Sequence, residues 1–166
     1  MEQQSNRYVF LVDDEPIQNE MLKDYISERF QYKLKTYDNG EDALKDMALD
    51  PEIVILDYHL NAHMSKAQNG VEILKKIKEV APATQVVMLS GQDNMEVAID
   101  SMKYGAYDYV IKGETAFSRM ENVLNNITDL HFMQAANRGY KKIIGFLIAA
   151  IVAIVIISAI LIRTLH

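Results

Sequence analysis

The sequence predicts an open α/β domain built on a parallel five-stranded sheet, followed by one helix able to cross a membrane. Three observations carry this. Short apolar runs alternate with stretches of helical periodicity, the order that a parallel sheet with right-handed crossovers requires. Two of those runs end directly in acids: Tyr8-Val9-Phe10-Leu11-Val12 meets Asp13-Asp14-Glu15, and Ile53-Val54-Ile55-Leu56 meets Asp57. Residues 143–162 are aliphatic or aromatic throughout, broken only by Gly145 and Ser158.

Composition sets the outer limits. A chain of 166 residues holds one domain of ordinary size plus an appendage. Its net charge of −6 argues against a nucleic-acid partner, which normally requires a basic face. The absence of cysteine excludes disulfides and thiolate metal sites. The polar start, Met1-Glu2-Gln3-Gln4-Ser5-Asn6, lacks the basic and apolar regions of a signal peptide, so export by that route is not expected.

In chain order, Tyr8–Val12 reads as the first strand. Ile17, Met21, Leu22, Tyr25 and Ile26 then recur at helical spacing from Pro16 to Arg29, with proline suited to a first turn. Tyr32 to Tyr37 alternates and carries lysines, the pattern of a sheet edge. Asp38-Asn39-Gly40 turns into a helix through Ala43, Leu44, Met47 and Ala48. Asp50-Pro51 opens the strand Ile53–Asp57, whose unbroken apolar run predicts burial on both faces.

A long polar loop from Tyr58 to Asn69 leads to a helix through Val71, Leu74 and Ile77 that stops before Ala81-Pro82. Gln85–Ser90 is the fourth strand, Val97, Ala98 and Met102 mark the next helix, and Tyr107–Ile111 the fifth strand. The last helix starts near Glu114-Thr115, with Phe117, Met120, Leu124 and Ile127 spaced by threes and fours, and runs to about Asn137. The methionines fall mostly at helical core positions, where an unbranched side chain fills gaps.

At about 1.5 Å per residue, residues 143–162 span roughly the hydrocarbon thickness of a bilayer. A core helix of that composition would need a protein large enough to surround it, and this chain is too short. Arg138, Lys141 and Lys142 precede the segment while Arg163 and His166 follow it, which places the amino-terminal side in the cytoplasm. The expected organisation is a folded domain over 6–130, a helical juxtamembrane linker over 131–142 and a transmembrane helix over 143–162, a tail-anchored protein of the cytoplasmic (inner) membrane. Gly145, Ala149 and Ala153 lie at four-residue intervals, a pattern that lets two membrane helices approach closely and predicts a homodimer.

The strand ends carry the chemistry. Asp13, Asp14 and Asp57 at neighbouring strand ends bring three carboxylates within a few ångströms, a repulsion that raises their pKa values unless a cation relieves it. Hard oxygen ligands suit magnesium, which leaves coordination positions open for phosphate. Ser90 and Lys112, at the ends of the fourth and fifth strands, add a hydroxyl and a cation. Together they form a site in which a carboxylate can attack a phosphoryl group. His59 and His63 invite a metal reading through their spacing of four, but a transition-metal site needs a third firm ligand, and two histidines on a polar loop are more simply solvated.

Over residues 6–130 this set of residues resembles the response-regulator receiver domain of two-component signalling. The resemblance implies a flavodoxin-like fold with strand order 2-1-3-4-5. It makes Asp57 the phosphoacceptor, Asp14 a direct magnesium ligand, Asp13 an acid acting through metal-bound water, and the backbone carbonyl of His59 a further ligand beside Asp57. Ser90 becomes the hydroxyl that turns toward the phosphoryl group, Tyr109 the switch aromatic and Lys112 the cation on the phosphate. The implied partner is a histidine kinase or histidine phosphotransfer protein, with output through protein contacts. The domain would then be no turnover enzyme but a phosphoacceptor with magnesium-dependent self-phosphorylation and autodephosphorylation.

The chain departs from the family in two places: Gly113 follows Lys112 where the family places a proline in a cis peptide, and the loop after Asp57 is longer and lacks the family's proline before Gly70. A second reading of the same residues is a pseudo-receiver that takes no phosphate and serves as a membrane scaffold. A strand-end Asp also serves magnesium phosphatases, but these need another Asp two residues on, where this chain has His59.

Overall fold

The computed structural model describes residues 7–60, 69–91 and 94–164. Five strands, β1 (Tyr8–Val12), β2 (Lys33–Tyr37), β3 (Ile53–Asp57), β4 (Gln85–Ser90) and β5 (Asp108–Ile111), form one sheet in the order β2-β1-β3-β4-β5. Every pairing is parallel. The helices are α1 (Pro16–Arg29), α2 (Gly40–Lys45), α3 (Gly70–Val80), α4 (Met95–Lys103) and α5 (Ala116–Thr164). The lysine-bearing β2 lies at the edge, as its alternation predicts, and β3 is buried along its whole length near the centre.

Alternation along the strands divides the core into two layers. Phe10, Val12, Val54, Leu56, Val86 and Met88 pack with Ala43 and Met47 and with Ile73, Leu74 and Ile77 of α3. The intervening residues Val9, Leu11, Ile53, Ile55 and Val87 are equally buried on the opposite face. Each such side chain removed from water contributes about 1.5–3 kcal/mol, which anchors the strands whose ends carry the acids. Asn39 caps α2 by accepting from Asp42 N, and Asn69 forms a reciprocal capping box with Glu72 at the start of α3.

The helix faces correct several expectations. Ile17 is 74 % exposed and Met21 50 % exposed, and α1 instead buries Asn19, Leu22 and Ile26. On α4 the buried residue is Ser101, with Met102 on the outside. Apolar residues occur on both sides of these two helices, so periodicity alone does not choose the inner face. The methionines split likewise: Met47, Met88 and Met120 are buried, whereas Met21, Met95, Met102 and Met133 are exposed. The helix expected through Met47 and Ala48 ends at Lys45, and Met47–Leu49 forms a separate 3-10 turn. Among the described residues there is no cis peptide, so Lys112 and Gly113 are joined in trans.

The chain divides into two compact units, Met1–Val123 and Leu124–His166. The second is helical as far as Thr164. Among the described residues no helix is long and apolar enough to cross a membrane. The side chains of 153–162, half of the predicted span, lie outside those residues, as do Ala153 of the small-residue pattern and the basic side chains Arg138, Lys141 and Lys142. The loop segment 61–68, with His63, also lies outside them.

Candidate functional site

Strand register builds the site. Val12 pairs with Leu56, so the residues that follow, Asp13 and Asp57, emerge side by side at the carboxyl edge of the adjacent strands β1 and β3. Asp57 pairs with Leu89, which puts Ser90 one step further out, and Ser90 pairs with Ile111, which does the same for Lys112. In open α/β sheets this edge is where ligands bind. Backbone contacts fix the ends: Asp13 N donates to Tyr37 O (3.1 Å), Tyr58 N to Leu89 O (2.9 Å) and Lys112 N to Ser90 O (2.7 Å).

Asp13, Asp14 and Asp57 each offer an oxygen within 4.8 Å of the others. Lys112 Nζ reaches this cluster from β5, 2.7 Å from Asp13 Oδ2 and 3.1 Å from Asp57 Oδ1. Asp13 Oδ1 accepts from Glu15 N (2.9 Å) and Asp57 Oδ2 from His59 N (3.1 Å). Asp14 Oδ2 and Asp57 Oδ1 are buried without a hydrogen-bond partner among the described residues, although the Lys112 ammonium stands 3.1 Å from Asp57 Oδ1 as an ion pair.

Charge is therefore unbalanced. Burial pushes the Asp57 carboxyl above the usual carboxylate range; Lys112 and the His59 N–H oppose the shift and Asp13 reinforces it. Burial also works against the Lys112 charge, but Asp13 and Asp57 outweigh it and hold the ammonium above its ordinary range. Three carboxylates facing one ammonium, with two buried oxygens lacking donors, fit a small, hard divalent cation.

Of the predicted site residues, Asp13, Asp14, Asp57 and Lys112 converge directly. Ser90 is buried at the rim, tied to Lys112 through its carbonyl. His59 joins through its backbone N–H. Tyr109 pairs with Met88 on the neighbouring strand, half-buried against the core formed with α2 and α3, and is not part of the acid cluster.

Two residues that sequence reasoning overlooked shape the site. Asn19 is 3 % exposed and donates through Nδ2 to the carbonyls of Asp13 (2.8 Å) and Tyr37 (3.2 Å). Its spacing with Leu22 and Ile26 places it on the inner face of α1, a signal visible once that face is known. Gly70 is required by close approach: a Cβ there would lie 2.3 Å from the Asp57 carbonyl oxygen and 2.8 Å from Tyr58 Cα. Both are backbone atoms of the segment that presents the acid, so any side chain at position 70 displaces Asp57 itself.

Comparison with known proteins agrees with this geometry. The model of the response regulator receiver domain family matches residues 9–125. The chain is 32% identical over 105 residues to the nitrogen assimilation regulatory protein NtrX of Azorhizobium caulinodans, covering 63% of this chain but only 22% of that protein. It is 28% identical over 121 residues to the chemotaxis protein CheY of Thermotoga maritima, covering 72% of this chain and 96% of CheY. Among solved structures, the BeF3-activated DrrB receiver domain superposes with a TM-score of 0.60 at 28% identity, covering 72% of this chain and 97% of that one.

Proposed function

The chain belongs to the response regulator receiver domain family, and from that membership we propose that Asp57 accepts a phosphoryl group from a histidine kinase or histidine phosphotransfer protein and passes the signal on by protein contact at a membrane. The observation that carries the reading is the cluster of Asp13, Asp14 and Asp57 around Lys112, with buried oxygens on Asp14 and Asp57 left without donors.

Asp14, Asp57 and the His59 carbonyl would hold magnesium directly, with Asp13 acting through its water. Bound there, the ion supplies charge neutralisation and Lewis-acid polarisation of the phosphoryl oxygens. The chain's own groups do the rest. An Asp57 carboxylate oxygen forms the new bond to phosphorus as the bond to the donor imidazole nitrogen breaks, and that nitrogen keeps the electron pair. Lys112 neutralises charge on the transferred group, and the Ser90 hydroxyl donates to one of its oxygens. Hydrolysis of the acyl phosphate returns Asp57 to the free acid, so the domain acts as a timed switch and not as a turnover enzyme. Tyr109, off the cluster on β5, is the side chain whose repacking would report occupancy to the protein surface.

Titration with beryllofluoride and magnesium, the phosphoryl mimic carried by the DrrB structure, tests both halves. Amide signals of Asp57, Ser90 and Lys112 are expected to shift together with those of α4 and β5. A protein that responds only around Asp57 binds without switching, which favours the scaffold reading.

Membrane attachment rests on residues 143–162. Every described side chain from Ile143 to Val152 is exposed around the full circumference of the helix, Phe146 at 83 %. So much bare apolar surface on all sides calls for a covering medium. The preceding Arg138, Lys141 and Lys142 suit a cytoplasmic face. The full chain is expected to float with liposomes and a chain ending at Lys142 to stay in the soluble fraction; a full chain that stays soluble contradicts the anchor.

A further inference from the structure

We propose that Asn19 is the positioning residue of the acid pair: its side chain ties the start of the loop carrying Asp13 and Asp14 to the end of β2 and so sets where their carboxylates meet magnesium, a role that rests on the phosphoacceptor reading above. The loop between β1 and α1 is three residues, Asp13 to Glu15. The far end is fixed by the first backbone bond of α1, Asn19 N donating to Glu15 O (3.2 Å), and the near end by the Asn19 side chain, Nδ2 donating to Asp13 O (2.8 Å). The same Nδ2 also donates to Tyr37 O (3.2 Å), the carbonyl that receives Asp13 N. One amide thus ties the end of β2 to the start of the loop, one residue before Asp14.

Helix formation does not account for this residue. Asn19 is the fourth residue of α1, past the cap position where asparagine favours a helix, and the cap residue is Glu15. Packing does not account for it either. It lies on the inner face with Leu22 and Ile26, and its Oδ1 is buried with no hydrogen-bond partner among the described residues. A leucine of similar volume would fill the space without burying an unpartnered acceptor. What the amide adds is the forked donor, aimed at the two carbonyls that place the acids. Groups that orient metal ligands in this way typically change metal affinity by about 10–100-fold when removed.

The test is calorimetric titration of the full chain with magnesium alone, comparing wild type, Asn19→Leu and Asn19→Ser, together with hydrogen exchange at the Asp13 amide. Asn19→Leu is expected to weaken magnesium binding about 10-fold and to speed exchange at Asp13 N–H, while the β3 amides stay protected. Asn19→Ser keeps one donor and is expected to fall between, and it decides the matter if the leucine variant does not fold. Phosphorylation of either variant by acetyl phosphate should lag at low magnesium and recover at saturating magnesium. A folded variant that binds magnesium as wild type does overturns the positioning role, even if it melts earlier. Wild type that binds no magnesium overturns the phosphoacceptor reading, and the positioning role with it, before any variant is compared.

Discussion

Asp57→Asn is expected to abolish phosphorylation and, in the absence of divalent cations, to raise the thermal midpoint at neutral pH by a few degrees. The first effect follows from chemistry, since an amide does not attack phosphorus. The second follows from burial. Asp57 is pushed above the usual carboxylate range, chiefly by desolvation. A carboxyl whose folded pKa is raised contributes stability that is fully present below its unfolded value and lost as pH rises through its folded value. Above the folded value that contribution is gone and a buried negative charge remains beside Asp13. Asparagine removes the charge while Lys112 keeps its pair with Asp13. The gain should shrink on acidification, as wild-type Asp57 takes up its proton above the usual carboxylate range, and on addition of magnesium, which stabilises wild type by binding the folded state. Melts at two pH values with and without magnesium measure it. An asparagine variant less stable than wild type under all four conditions contradicts the electrostatic account.

Lys112→Met is expected to cut the rate of phosphorylation by about 10²-fold or more and to destabilise the metal-free protein at pH 7 by roughly 3 kcal/mol. The Lys112 side chain is 18 % exposed and faces Asp13 and Asp57. Its raised pKa means that its stabilisation is complete below the ordinary lysine range and lost only as pH rises above it, so at neutral pH the whole interaction is at stake. Removing it leaves three neighbouring acids with no ammonium among them. The deficit should diminish as pH falls and Asp57, whose pKa is raised, takes up its proton, and it should narrow with magnesium. Chemical denaturation at pH 7 and pH 5 gives the stability arm, and acetyl phosphate uptake gives the rate. A loss independent of both pH and magnesium would mean that Lys112 acts through packing of its stem.

What could be read from the sequence followed the strength of the local signal. Each strand is an apolar run, and Ile53–Asp57 ends in its acid with no polar transition, so the buried centre and its functional edge were legible together. The sheet order came from resemblance; the register that aligns Asp13 with Asp57 and Ser90 with Lys112 came from the structure. The inner faces of α1 and α4 were misassigned because Ile17, Met21 and Met102 are apolar yet point outward, while the inward Asn19 and Ser101 are polar. Gly70 was hidden for a different reason. Its need arises from the approach of α3 to the Asp57 carbonyl, a contact between segments separated by a long loop. Tyr109 was correctly placed on β5, but its distance from the acids depends on which way the strand turns its side chains.

The central claim, that the acid cluster is a magnesium-dependent phosphoacceptor centred on one carboxylate, is tested most directly by intact mass of the full chain after incubation with acetyl phosphate, with peptide mapping of the product. The account predicts gain of a single phosphate with magnesium, none after chelation, and the label on Asp57. Stable absence of any gain under saturating magnesium, or a label on Asp13 or Asp14 at an equal rate, would contradict it.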